Sequence, residues 1–132
     1  MASQPSTYTY SGSCHCRSVN FTFKFPMPLT STLVTNCNCT LCTKNGTLNI
    51  CRLKKDISIQ GEEKLASYVR SDTGCVHLFC SGCGSSMFTT RDGDLEMYMN
   101  VRMVDDVDLE ALRYRKHDGR SVQFWMNVEG RG

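Results

Sequence analysis

Seven cysteines fall into three tight clusters, and their spacing constrains this chain more than any other feature. The clusters are Cys14-His15-Cys16, Cys37-Asn38-Cys39-Thr40-Leu41-Cys42 and Cys80-Ser81-Gly82-Cys83-Gly84. Thiols at C-x-C and C-x-x-C spacing bind metal or form disulfides, and the redox compartment decides which. The opening "MASQPSTYTYSG" holds no apolar run that could serve as a signal-peptide core, and no later segment approaches the roughly 18 apolar residues of a membrane span. We therefore expect a cytoplasmic protein without membrane association. Disulfides are disfavoured there and nine cysteines are an odd count, so metal is the expected staple. A staple is needed. The 132 residues fit a single domain (1–132), and the 40% hydrophobic content includes those nine cysteines, which leaves a thin aliphatic core.

Seven ligands cannot fill two four-cysteine sites. One natural division gives Cys14, Cys16, Cys80 and Cys83 to a closed tetrahedral zinc, tying the N-terminal strand to the middle of the chain. Gly82 and Gly84 let that third cluster turn tightly. A thioredoxin-like role for Cys80 and Cys83 would need them to open a helix, whereas strand signals lie on both sides. Cys37, Cys39 and Cys42 remain, with Cys39 and Cys42 on one face of a helical turn and Cys37 reaching in from a strand end. Three protein ligands with a fourth position for water or substrate distinguish catalytic zinc from structural zinc. A fourth protein ligand could equally close the set. Cys51, Cys75, His15, His77 and His117 are the candidates, and spacing excludes none of them. Cys51 and Cys75 stand alone in strand-like surroundings, where a cysteine is usually a small buried hydrophobe, and His77 alternates with apolar neighbours like a packed residue.

Periodicity is mostly that of strands. Residues 19–25 ("VNFTFKF") alternate apolar and polar, and "LNICRL", "ISIQG", "CVHLFC" and "LEMYMNV" continue in short β-rich runs separated by polar or glycine-bearing breaks. A mainly β fold follows. Helix is expected only for a turn or two beginning near Cys39 and for the acidic stretch around Asp105 to Leu112. Val122, Phe124, Trp125 and Met126 in the tail are expected to dock on the body. Seven thiolates on two divalent ions shift the formal charge from +2 by three units, to about −1, which is no surface for phosphate backbones.

The order "GSCHC" (Gly12 to Cys16), "CNCTLCTKNG" (Cys37 to Gly46) and "FCSGCGSSMF" (Phe79 to Phe88) resembles the glutathione-dependent formaldehyde-activating enzyme and centromere protein V family. The combined spacing is specific where each C-x-x-C alone is not. The resemblance implies the Mss4-like β-tent fold and two zinc ions per chain: a structural one on Cys14, Cys16, Cys80 and Cys83, and one of catalytic type on Cys37, Cys39 and Cys42. Lys44 and Gly46 match the family's Lys-x-Gly; Asn38 stands where the family often has histidine, and the segment beyond Asn100 diverges.

Three thiolates on zinc leave a net charge near −1, a poor Lewis acid for water but a soft one that favours sulfur. The expected reaction is therefore carbon–sulfur lyase chemistry on a small thiol or thiol adduct, and the resemblance makes glutathione the thiol. Lys44, Arg17 and the run "RYRKHDGR" (Arg113 to Arg120) are the candidate cations for such an anion, and His117 is a candidate for proton transfer. The alternative is a non-catalytic zinc-stapled binding module of the same fold. Nucleic-acid binding is not expected, because no long basic arm precedes Gly12 and the charge is near zero.

Overall fold

Strands follow wherever apolar and polar residues alternate, and the computed structural model, which describes residues 7–120, adds several that do not alternate. In chain order they are β1 (Tyr8–Ser13), β2 (Asn20–Phe25), β3 (Leu33–Cys37), β4 (Asn49–Leu53), β5 (Ile57–Gln60), β6 (Leu65–Val69), β7 (Val76–Cys80), β8 (Ser86–Thr90), β9 (Glu96–Asn100) and β10 (Arg113–His117). One α-helix, α1 (Thr40–Asn45), lies between β3 and β4. The expected strands appear as β2, β4, β5, β7 and β9, and the expected turn of helix near Cys39 is α1. No described helix is long and apolar enough to cross a membrane.

Two sheets face each other across the core. The smaller runs β1-β2-β5 and the larger β10-β3-β4-β9-β8-β7-β6, with every pairing antiparallel except that of β10 with β3. The period of two puts Phe21, Phe23 and Phe25 of β2 on the buried face and leaves Asn20, Thr22 and Lys24 outside it. Phe21 meets Phe88 of β8 edge to face with ring centroids 5.4 Å apart, and Phe23 stacks on Tyr10 at 5.5 Å. Across the larger sheet the register Phe88↔Met99↔Ile50 carries this apolar row from strand to strand. The opposite face of the same strands bears Thr89↔Tyr98↔Cys51 and Thr35↔Asn49. That second, polar face becomes the floor of the candidate site.

The acidic stretch around Asp105 to Leu112 is not an α-helix. It is a turn with Asp106 at a left-handed φ of 59°, followed by a single 3-10 turn, Leu109–Ala111, whose cap Asp108 accepts the Glu110 N–H at 3.1 Å. Short acidic side chains that bond their own backbone compete with helix propagation. β8 escaped the alternation rule because Ser86, Met87 and Phe88 are all buried. β10 escaped it because "RYRKH" reads as a charge run. The tail residues Val122, Phe124, Trp125 and Met126 lie outside the described residues.

Gly61, between β5 and the following 3-10 turn, has φ of 84°, and a Cβ there would come 2.0 Å from the Ser18 carbonyl oxygen. This contact sets the β5 end against the loop that carries Cys14 and Cys16. Gly61→Ala combines left-handed strain with a backbone clash, so it should cost about 3 kcal/mol, read as a fall in Tm of about 10 °C.

Candidate metal centre

Two turns, one in each sheet, bring four sulfurs together. The β1–β2 turn is closed by Cys14 N–H to the Val19 carbonyl (3.0 Å) and Arg17 N–H to the Cys14 carbonyl (3.1 Å), with Arg17 at a left-handed φ of 66°. The β7–β8 turn is closed by Gly84 N–H to the Cys80 carbonyl at 2.8 Å, with Gly84 at φ 79°. The Sγ atoms of Cys14, Cys16, Cys80 and Cys83 then lie within 4.8 Å of one another. Cys16 Sγ is 3.6 Å from both Cys14 Sγ and Cys80 Sγ. Tetrahedral thiolates at a Zn–S distance of 2.3 Å would be separated by ~3.8 Å, so the donor set fits an ion of that size. Backbone N–H groups already point at these sulfurs, from Val19 to Cys14 (3.3 Å) and from Gly82 to Cys80 (3.4 Å). The Ser85 hydroxyl, 3.2 Å from Cys83, holds that thiol down at about 5, and the Ser18 hydroxyl lowers Cys16.

The middle cluster is built locally. Cys37 is the last residue of β3, Cys39 caps α1, and Cys42 lies in its first turn. Cys39 Sγ accepts the Cys42 N–H at 3.4 Å, as an oxygen would at an ordinary N-cap, and Cys37 Sγ accepts the Cys39 N–H at 3.4 Å. Asn49 on β4 directs its amide at Cys42 Sγ from 3.9 Å. The three sulfurs lie within 4.8 Å of one another, and among the described residues no fourth Cys, His, Asp or Glu joins the group. Burial pushes the Cys42 thiol up to about 12 and raises Cys37. Burial also opposes the Cys39 thiolate, yet its pKa is lowered, because the Cys42 N–H, the neighbouring thiols and the Arg70 charge outweigh it.

A cleft of about 250 Å³ opens over these sulfurs. Its floor is the polar face of the large sheet, with Thr35, Asn49, Thr89 and Tyr98; Arg70, Cys75, Arg115 and His117 complete the walls, and no carboxylate lines it among the described residues. The fourth-ligand candidates are dispersed. Cys75 and His117 line the cleft; His77 is buried beside Ser86 Oγ at 3.3 Å; His15 sits in the four-sulfur turn, its N–H on Ser85 Oγ at 3.1 Å. Cys51 gives its thiol to Glu96 at 3.2 Å and is pushed up to about 11 by burial and that carboxylate, so it stays protonated.

The cations are also redistributed. Lys44 lines a neighbouring cleft, and Arg17 belongs to the turn of the four-sulfur cluster. The basic run is β10, and its parallel register sets Arg115 beside Thr35 and His117 beside Cys37, so alternate residues of it face the cleft. Arg70 went unnoticed in the sequence. Its Nη1 lies 3.9 Å from Cys39 Sγ, and only the loop between β6 and β7 brings it there.

Asn38 secures the other side of the cluster. Its backbone N–H reaches the His117 carbonyl (3.1 Å), its amide donates to Asp118 Oδ1 (3.0 Å), and its Oδ1 accepts the Arg120 N–H (2.8 Å). This fastening draws Gly119 so close that a Cβ there would sit 2.5 Å from Cys37 Sγ. Only glycine fits that approach.

The family model for the glutathione-dependent formaldehyde-activating enzyme matches residues 9–125. Among solved structures, a crystal structure of a Rhodobacter sphaeroides protein superposes with a TM-score of 0.68 at 22% identity, covering 80% of this chain and 99% of that one. The shared fold is the mainly β, Mss4-like tent that the resemblance implied. A search of curated proteins returned no match.

The two clusters differ in what they hold together, and two measurements read the difference. Cys80→Ser should lower Tm by more than about 15 °C or prevent folding, while Cys39→Ser should stay folded within about 5 °C of wild type in the same melts. In the metal-free protein Cys37 and Cys42 carry protons at neutral pH, so loading the middle cluster releases at least two of them. Protons compete with metal; apparent affinity for the second metal equivalent should therefore rise about 100-fold per pH unit between pH 6.5 and 8. Chelator competition across that range measures the slope, and a slope of one proton or none would remove Cys37 or Cys42 from the ligand set.

Proposed function

Because the chain belongs to the glutathione-dependent formaldehyde-activating enzyme family, we propose that it is a zinc-dependent carbon–sulfur lyase acting on an adduct of glutathione or a similar small thiol. Cys37, Cys39 and Cys42 would hold one zinc ion at the reaction site, and Cys14, Cys16, Cys80 and Cys83 a second that staples the fold. The observation that carries this reading is a sulfur group that, among the described residues, stops at three members and opens into a cleft lined by arginines and no carboxylate. Bound to three thiolates, zinc would supply a soft fourth coordination position that prefers the sulfur of a thiol to water.

The chain's own residues do the rest. The Cys39 and Cys42 N–H groups and the Asn49 amide hold the ligand sulfurs in place. Breaking the carbon–sulfur bond of a hydroxyalkyl thioether leaves the electron pair on sulfur as thiolate, turns the hydroxyl carbon into a carbonyl, and frees the hydroxyl proton. His117 is the imidazole that the cleft offers for that proton, and burial raises the Tyr98 phenol so that it stays a hydrogen-bond donor. Run backwards, the same groups serve addition of the thiolate to the carbonyl. None of the nine cysteines forms a disulfide, which suits a reducing, glutathione-rich cytoplasm.

The test needs metal, thiol and turnover together. Elemental analysis should find about two zinc ions per chain. With cobalt in the middle cluster, glutathione should perturb the visible spectrum, and exchange NMR should show faster interconversion of a carbonyl compound with its glutathione adduct. Folded Cys39→Ser should lose at least about 100-fold of that acceleration. If thiols leave the cobalt spectrum unchanged and every adduct turns over at the uncatalysed rate, the protein is the metal-stapled binding module instead.

A further inference from the structure

Arg70 opens the loop between β6 and β7, and its position is over-determined. Its N–H bonds the Cys75 carbonyl and its carbonyl accepts the Gly74 N–H, both at 2.8 Å. Its Nε and Nη2 grip the two oxygens of Asp72 at 3.1 and 2.7 Å, which leaves Nη1 facing Cys39 Sγ at 3.9 Å. The side chain is only 12% exposed, and its Asp72 partner 16%. A guanidinium held as a fork in this way is a fixed charge, unlike a lysine free to swing.

Arg70 is also shared between two spaces. It lines the 250 Å³ cleft over the sulfurs and an adjoining cleft of about 350 Å³ bordered by Thr40, Leu41, Lys44 and Tyr68. Among the described residues the adjoining cleft is net positive, since Asp72 is neutralised by Arg70 and no acidic side chain pairs with Lys44. Charge accounting gives the pairing a purpose. Three thiolates on a divalent ion leave one negative charge and a thiolate guest makes two; among the described lining residues Arg115 carries a positive charge with no acidic partner, and Arg70, whose net charge Asp72 meets, still turns a guanidinium N–H toward Cys39.

We propose that Arg70, braced by Asp72, is the positioning residue of this cleft: it supplies the charge at which Cys39 and an incoming anionic thiol meet, and selects thiols whose carboxylate arm reaches the Lys44 cleft. The thiol selection rests on the lyase reading. The electrostatic effect on Cys39 does not. A merely structural arginine would tie the loop down without discriminating between charged and neutral partners.

The full-length protein with cobalt in the middle cluster, as wild type, Arg70→Gln, Arg70→Lys and Asp72→Asn, is titrated with glutathione and with 2-mercaptoethanol. Proteins stripped of metal at the middle cluster alone are labelled in parallel with iodoacetate or iodoacetamide, and modification of Cys39 is followed by peptide mass spectrometry. Arg70→Gln should weaken glutathione about 10-fold or more while changing the neutral thiol at most about 3-fold, the loss expected for a charge-assisted contact. It should also cut the iodoacetate-to-iodoacetamide rate ratio at Cys39. Arg70→Lys should recover part of both effects, and Asp72→Asn, which removes the carboxylate that offsets the Arg70 charge, should shift both in the direction opposite to Arg70→Gln. Equal loss for both thiols at full cobalt occupancy, or an unchanged labelling ratio at Cys39 with the middle cluster empty, overturns the assignment; if Arg70→Gln fails to fold, an unchanged Asp72→Asn does so. If no thiol binds the wild-type protein, the lyase reading falls and takes the thiol selection with it. If thiols bind without regard to charge, only the assignment to Arg70 falls.

Discussion

Four sulfurs drawn from two turns are the constraint on which the rest of this structure depends. Cys14 and Cys16 end the hairpin of the small sheet, and Cys80 and Cys83 close a turn of the large one, so the cluster joins two sheets at residues more than sixty positions apart in sequence. Phenylalanines from β2 fill the space beneath, packing on Phe88 and the methionines of β9. Such a core buries few aliphatic side chains for a chain of this length, and a metal held by the four sulfurs would offset the shortage by contributing its binding energy to folding. The N–H groups of Val19 and Gly82 aimed at the sulfurs mean that the turns present donors to thiolates before any ion arrives.

The large sheet does two jobs with its two faces. One face packs the apolar row of Phe88, Met99 and Ile50, and the other carries Thr89, Tyr98 and Asn49 beneath the three-sulfur cluster. A register slip of one residue would exchange the two rows. The core therefore fixes the register that places the cleft floor, although none of Phe88, Met99 and Ile50 lines the cleft. The parallel addition of β10 to β3 extends this logic to the edge, since it brings Arg115 and His117 level with Thr35 and Cys37.

The three-sulfur cluster is held by short-range means at its centre and long-range means at its rim. Cys37, Cys39 and Cys42 need only a strand end and one turn of helix, both encoded within a few residues. Arg70 and the strap at Gly119 come from distant parts of the chain, one through a salt-bridged loop and the other through Asn38. Asn38 stands at a position where a histidine is common in the family, and here its two-sided amide serves as a fastener for the strap. That role explains the residue by hydrogen bonding alone.

By itself, the sequence determined the parts whose causes are local. Seven thiols at ligand spacing, the glycines that let their turns close, and the alternation of "VNFTFKF" each act within a few residues, so four-plus-three grouping and a mainly β chain were legible from the residues. The tertiary structure decided what depends on distant pairing. β8 gave a strand signal after Cys83 but no alternation, because burial on both faces erases it, and β10 hid because an edge strand shows in sequence only as charge. The helix expected around Asp105 to Leu112 gave way to turns because its own aspartates bond the backbone there. Arg70 carries no local signal: a lone arginine after a strand gains its meaning only when the β6–β7 loop sets it 3.9 Å from a sulfur thirty-one residues earlier. Coulomb attraction depends on distance in space, which the order of residues along a chain does not record.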